Sequence, residues 1–239
     1  MKQKTDAIIL ARGGSKGIHR KNIKSFCGKP LLVWTIECCL SVPSVRHTYV
    51  SSDDFDILTL AAQHGCRTIA RPRKLSGDEA SSESGWLHAI EEISKGDVMP
   101  NAIIAPQATS PLRLSNHLED GLNEFHIKGL DSLFSAVDAK DLCLWNKEKN
   151  GTLSPANYDP SSRGIRQHRP TQIIENGSFY IFKPEVLLTS GSRFGKLIDY
   201  YLMPAWTLFE IDEMDDWELC EVIMQHYAAP KYGNQTSRG

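Results

Sequence analysis

Residues 7–22 read Ala7-Ile8-Ile9-Leu10-Ala11-Arg12-Gly13-Gly14-Ser15-Lys16-Gly17-Ile18-His19-Arg20-Lys21-Asn22. The first five form a continuous apolar run of strand length, halted at Gly13-Gly14. A run without polar alternation is the pattern of a strand buried on both faces, as in a parallel sheet. Three glycines within five residues follow it, together with Arg12, Lys16, His19, Arg20 and Lys21 within ten. Glycines let the backbone approach a ligand and turn its N–H groups inward. Cations around such a backbone, placed just after a buried strand, suit a polyphosphate. The loop is not of the Walker type, because Lys16 has no glycine before it and no Ser/Thr after it. It is not GxGxxG either. The alternative is a solvated basic turn, against which the strand and the glycines both weigh.

Working outward, strand and helix patterns alternate. Pro30 opens a helical segment over 31–40, at the position proline tolerates best. Residues 48–52 read as a second strand, after which Asp53-Asp54 can cap a helix over roughly 55–64. Residues 68–70 are strand-like, and a helix over about 80–94 places Trp86, Leu87, Ile90 and Ile93 on one face. Residues 102–105 are another buried strand, Ser115 caps a helix to about 127, and 132–137 is a strand. The stretch of about 150–175 breaks the rhythm: it is polar, rich in Pro and Ser, and aperiodic. Loops this long inside a compact domain are usually functional or contact a partner. Strand signals return at 178–182 and 200–203, and a last helix spans about 214–227. Repeated strand–helix units predict an α/β fold, a mostly parallel sheet with helices on both faces. Residues 1–229 are expected to form one domain, and 230–239 a polar tail. In such sheets ligands sit beyond the carboxyl ends of the strands.

Composition narrows the partners. Lys plus Arg is 27 and Asp plus Glu 29, a formal charge of −2, which argues against bulk nucleic-acid binding. The 41% hydrophobic content excludes a disordered chain. No apolar run approaches the roughly 18 residues of a membrane helix, and the apolar stretch before Arg12 is too short for a signal peptide. The six cysteines show no CxxC pair and read as buried, reduced thiols, so a cytoplasmic protein is expected. Asn176-Gly177-Ser178 and Asn234-Gln235-Thr236 match glycosylation acceptors by chance. His64, His88, His117 and His226 show no metal spacing and read as structural.

A second constellation lies near the end. Glu210 and Asp212 are alternate residues after an apolar stretch, so on an extended segment both carboxylates share one side. Mg²⁺ usually takes one or two carboxylates plus substrate phosphates. The alternative for Asp212 is a cap on the last helix. Arg71-Pro72-Arg73, the segment from Gln107 to Arg113, and Arg163, Arg166, Gln167 and Arg169 are weaker candidates singly. Together they would supply anion, base and sugar contacts around one cleft.

The segment ARGGSKGIHRKN, followed by KPLLVWTI, resembles the nucleotide-binding signature of the acylneuraminate cytidylyltransferase family. SSDD at 51–54, RPRKLSGDEASS at 71–82, QATSPLR at 107–113, ENGSFYIF at 175–182 and EIDEMDDWELCE at 210–221 match in order. The resemblance covers about residues 6–225 and implies a Rossmann-like nucleotidyltransferase fold. It implies that CTP and a 2-keto-3-deoxy nonulosonic acid give the CMP-sugar and pyrophosphate, by in-line attack of the anomeric hydroxyl on the α-phosphate. Carried over, Arg12, Gly13, Gly14, Ser15, Lys16 and Lys21 hold the triphosphate, with Lys21, Arg12 and Asp212 catalytic. Leu10, Ala11, Asn22, Arg71 and Ser82 hold cytidine, Gln107, Arg166 and Gln167 contact the sugar, and Asp212 with Glu210 binds Mg²⁺. A homodimer is implied, with an excursion at about 140–175 reaching over the partner's site. Three positions depart from the family's pattern: Leu10 replaces a frequent Pro, Glu210 a frequent Asp, and 141–146 lacks a frequent Lys. A legionaminic- or pseudaminic-type acid is therefore as good a candidate as sialic acid. An octulosonic acid synthetase and a non-catalytic nucleotide-binding module are the competing readings.

Overall fold

The structure, a computed structural model, describes residues 4–162 and 171–228. Eleven strands are described: β1 Thr5–Leu10, β2 Ser25–Phe26, β3 Lys29–Pro30, β4 Val45–Ser52, β5 Arg67–Ala70, β6 Ala102–Pro106, β7 Ser132–Asp138, β8 Trp145–Lys147, β9 Leu153–Pro155, β10 Ile173–Phe182 and β11 Ile198–Leu202. Six α-helices are described with them: α1 Leu31–Leu40, α2 Phe55–Gln63, α3 Ser82–Ser94, α4 Ser115–Ile127, α5 Pro184–Ser190 and α6 Met214–Ile223.

Seven strands form one sheet in the order β11-β7-β10-β6-β1-β4-β5. All neighbours run parallel except β10, which is antiparallel to both β6 and β7. The apolar run that opens the chain lies on β1, between β6 and β4. Its side chains alternate between two cores. Ala7 and Ile9 pack with α1, α2 and α4 residues such as Ile36, Ile57 and Leu118. Ile8 packs on the other face with Trp86 and Ile90 of α3 and Leu187 of α5. Burying Ile8 and Ile9 fully contributes about 1.5–3 kcal/mol each. The expected two-sided α/β sheet is therefore present, with one antiparallel strand inside it.

Local signals behave as the residues require. Asp54 caps α2, accepting from the N–H groups of Asp56 (2.9 Å) and Ile57 (3.1 Å). Ser115 is not a cap: it is the first residue of α4, and Leu114 holds the extended cap position, its N–H donating to His117 Nδ1 (3.3 Å). The last helix changes to a π turn over Met224–Ala228. Within the aperiodic stretch β9 pairs with β8 as a separate hairpin, and β10 begins at Ile173. Two of the six cysteines, Cys27 and Cys143, are only half-buried; all six are unbridged. No helix among the described residues is long and apolar enough to cross a membrane.

Candidate functional site

The loops that follow β1, β5 and β6 meet the Glu210–Glu213 segment around a cleft of about 560 Å³ at the carboxyl edge of the parallel strands. Of the residues expected at the site, Leu10, Arg12, Ser15, Lys16, Lys21, Asn22, Arg71, Ser82, Gln107, Glu210 and Asp212 line it. Ala11, Gly13 and Gly14 are not part of this lining; Gly13 is half-buried and Gly14 exposed. Ala11 is buried and its carbonyl accepts from Arg71 Nη2 (3.2 Å). The Gly13 N–H does not face a ligand; it donates to the Asp53 carboxylate (3.1 Å). Arg166 and Gln167, expected on the sugar side, and Arg163 and Arg169 lie outside the described residues.

The five cations of the loop divide. Arg12, Lys16 and Lys21 face the cleft. Arg20 takes a left-handed backbone (φ 53°) and turns to Asp56 and Asp54 at the start of α2. His19 is exposed and not part of the lining. Arg12 (2.9 Å) and Lys16 (2.9 Å) both bond the carboxylate of Asp78, which reaches across from the 71–82 segment. Those two cations hold the Asp78 carboxyl below the usual range, Lys16 most strongly.

Lys21 is the most enclosed of the three cations at 8% exposure. Its Nζ donates to the Ile211 carbonyl (2.6 Å) and to Asp212 Oδ1 (3.0 Å), 190 and 191 positions away in sequence. Asp212 is thus not the helix cap. Glu213 holds that position, while the Asp212 N–H donates to Asp216 (3.0 Å). Partial burial and the neighbouring Asp212 carboxylate push the Glu210 carboxyl upward, against the pull of Lys21. The pair is a hard-oxygen donor set in the lining of the cleft. Among the described residues no cluster of three or more His, Cys, Asp or Glu could hold a metal by itself. Two carboxylates completed by phosphate oxygens is the arrangement that Mg²⁺ accepts, so the residues present fit it.

Several groups hold this geometry in place. Asn22 Nδ2 donates to the Arg12 carbonyl (3.0 Å), while its buried Oδ1 has no partner and is left for a ligand donor. Burial lowers the pKa of Arg71, which links the Ala11 carbonyl to Ser76 Oγ (2.8 Å) and so joins two lips of the cleft. Arg113, which the sequence left as a possible surface group, is fully buried behind Gln107. It donates to the carbonyls of Gln107, Ser110 and Ser178 (each 2.8 Å) and to Thr35 Oγ1 (2.6 Å). The Ile211 N–H donates to the Thr109 carbonyl (2.8 Å), fastening the carboxylate segment to the same loop. Asn176, buried at a bulge of β10, donates to the Thr207 carbonyl (3.1 Å) and Oγ1 (3.0 Å). Its side chain is committed to packing, which agrees with reading its glycosylation match as chance.

Sequence reasoning named Gly17 and Thr109 only within their segments and did not single out Asp78 or Glu213, yet all four line the cleft. The signal for Gly17 lies in its contacts: a Cβ there would stand 2.2 Å from the Asp212 carbonyl oxygen. Only glycine lets the basic loop and the carboxylate segment approach so closely.

Fold and cleft together define an α/β protein whose sheet edge carries a cleft between a basic loop and a carboxylate pair. The profile of the cytidylyltransferase family matches residues 7–128, and the chain belongs to that family. It is 35% identical over 217 residues to an N-acylneuraminate cytidylyltransferase A of Danio rerio, covering 90% of this chain and 49% of that protein. It is 29% identical over 221 residues to a pseudaminic acid cytidylyltransferase of Campylobacter jejuni, covering 90% of this chain and 94% of the relative. The chain thus spans about half the length of the acylneuraminate relative and nearly all of the pseudaminic one. A CMP:2-keto-3-deoxy-manno-octonic acid synthetase solved with CTP shares the fold, with a TM-score of 0.67 at 16% identity over 93% of this chain and 98% of that one.

Proposed function

We propose that this chain couples CTP to a 2-keto-3-deoxy nonulosonic acid, of the sialic or the legionaminic and pseudaminic type, releasing pyrophosphate. The observation that carries the reading is Lys21. It is an enclosed cation, fixed by a main-chain carbonyl and by Asp212, in a cleft that Arg12, Ser15 and Lys16 also line. The anomeric hydroxyl oxygen attacks the α-phosphorus in line, the bond to the outer two phosphates breaks, and the hydroxyl proton is released. Catalysis of this kind is mostly positioning and charge neutralisation. Arg12, Ser15 and Lys16 hold the outer phosphates, and Lys21 stabilises charge at the α-phosphate. Asn22 and Arg71, with Leu10, Ala11 and Ser82, receive the cytidine. Gln107 faces the sugar, joined by Arg166 and Gln167. Asp212 and Glu210 hold Mg²⁺, which when bound neutralises phosphate charge.

The reading extends to a cytoplasmic homodimer in which residues 140–175 reach the partner's cleft. Leu144, Trp145 and Leu153 on the β8–β9 hairpin are exposed, which supports a covering surface there. The decisive test is pyrophosphate release with CTP and Mg²⁺ over a panel of sialic, legionaminic, pseudaminic and octulosonic acids. Turnover with one of the nine-carbon acids is expected. Turnover confined to the octulosonic acid would replace the acceptor, and none with any acid would overturn the reading. Light scattering is expected to give a dimer, and a fully active monomer would refute the shared site.

A further inference from the structure

The contact that closes the phosphate end of the cleft has a consequence for which anions can enter. We infer that Asp78 is a specificity-determining residue: an internal carboxylate that occupies the phosphate cations of the free protein and sets how much anionic charge a ligand must bring. The inference rests on the nucleotide reading above and deepens it.

Arg12 and Lys16 are the two outer cations of the loop, and each lies 2.9 Å from an oxygen of Asp78. One carboxylate therefore bridges both cations, in the way a phosphate group would. The residue sits on a strap whose two ends are fixed. Ser76 Oγ accepts from Arg71 Nε (2.8 Å), and Ser81 Oγ caps α3 by accepting the Ser84 N–H (3.2 Å). Only residues 77–80 span between those anchors, all at the surface or half-buried. Releasing Asp78 therefore asks for movement of this short exposed tip only. The Asp78 side chain is 50% exposed, so solvent screening keeps the clasp weak enough to be displaced.

A ligand anion must exchange with this carboxylate on both cations. A pyrophosphate unit, or the outer phosphates of a nucleoside triphosphate, has two charged centres and can satisfy both. A single orthophosphate can bridge the same two cations, but with one centre it gains less over the carboxylate it replaces. Asp78 thereby subtracts the same amount from the binding of every anion that displaces it, and only those that gain more than this stay bound. It also competes with bound pyrophosphate for the same cations, which speeds that product's departure.

The test is isothermal titration of inorganic pyrophosphate and of orthophosphate into wild-type protein, Asp78→Asn and Asp78→Glu. Two exposed ion pairs are removed in Asp78→Asn, so pyrophosphate should bind about two- to thirtyfold tighter. Orthophosphate should gain by a similar factor, and both gains should fade as salt is raised. Asp78→Glu, which keeps the charge, should stay near wild type. A residue that merely shaped the loop would give the opposite sign, so unchanged or weaker pyrophosphate binding by Asp78→Asn overturns the inference. No acceptor sugar or turnover enters the measurement, so a silent sugar panel leaves it standing. Wild-type protein that bound neither pyrophosphate nor CTP would overturn the nucleotide reading and this one together.

Discussion

Lys21 is the residue at which packing and chemistry can be separated most cleanly. Lys21→Met keeps the buried, unbranched stem and removes the ammonium. The hydrogen bond to the Ile211 carbonyl is then lost, at a cost of about 0.5–1.5 kcal/mol. The ion pair with Asp212 adds only about 0–1 kcal/mol, because the Asp212 side chain is 67% exposed and water screens it. Together these shift the melting temperature by about 1–10 °C, a fraction of the roughly 5–15 kcal/mol that holds a domain folded. The catalytic loss is larger. Removing a fixed charge from a developing phosphoryl transition state lowers kcat by about 10²-fold or more, equivalent to about 2.7 kcal/mol. Thermal unfolding and pyrophosphate release measured on the same preparation give both numbers. A variant that stays folded and keeps kcat within about threefold of wild type would refute the role given to Lys21.

Gly17→Ala should lower kcat/KM for CTP on the order of 10²-fold, because its Cβ would meet the Asp212 carbonyl at 2.2 Å and force two site segments apart. Gly14→Ala, with no atom near the added Cβ, should stay within about twofold, and equal losses would contradict this contact. The raised Glu210 carboxyl contributes stability below the ordinary glutamate value that is lost as pH rises through its higher folded value. In chelator, Glu210→Gln should therefore melt above wild type at neutral pH and lose the advantage in acid, while its turnover with Mg²⁺ falls; a lower melting point at neutral pH would contradict the repulsion. Cys27→Asn should stabilise by about 0.5–1 kcal/mol in thermal melts, since Cys27 (φ 45°) and Gly28 (φ 91°) form a two-residue hairpin loop where asparagine is favoured; no gain would mean that the half-buried thiol contributes packing of equal worth.

The sheet was legible where burial leaves no polar alternation. β1 and β6 read as unbroken apolar runs because helices cover both of their faces. The first helix was legible to the residue, since Pro30 marks its entry. Other elements carried too little signal. The β2–β3 hairpin hides because its loop is Cys27-Gly28 where the recognisable pair is Asn-Gly. The α5 helix spans seven residues with two buried, short of a periodic pattern. The β8–β9 hairpin has three-residue strands at the surface, so neither face writes an apolar stripe.

The site was legible in its residue types but not in its pairings, and the reason is electrostatic. A run of cations in the sequence suggests a strongly positive loop. In the folded chain each of its charged members meets an acid from another segment: Arg12 and Lys16 meet Asp78, Arg20 meets Asp56, and Lys21 meets Asp212. Those acids lie between 36 and 191 positions away, and local spacing cannot forecast which of them arrive. Arg20 and Lys21 are adjacent, yet the left-handed turn at Arg20 sends one to α2 and the other into the cleft. The free cleft is thus close to charge balance, and an entering polyphosphate exchanges partners with resident carboxylates. Binding energy then depends on the difference between phosphate and carboxylate at each cation, which is smaller than the charge of the loop alone suggests. That difference is largest for a ligand that meets all three cleft-facing cations of the loop at once, as a triphosphate can.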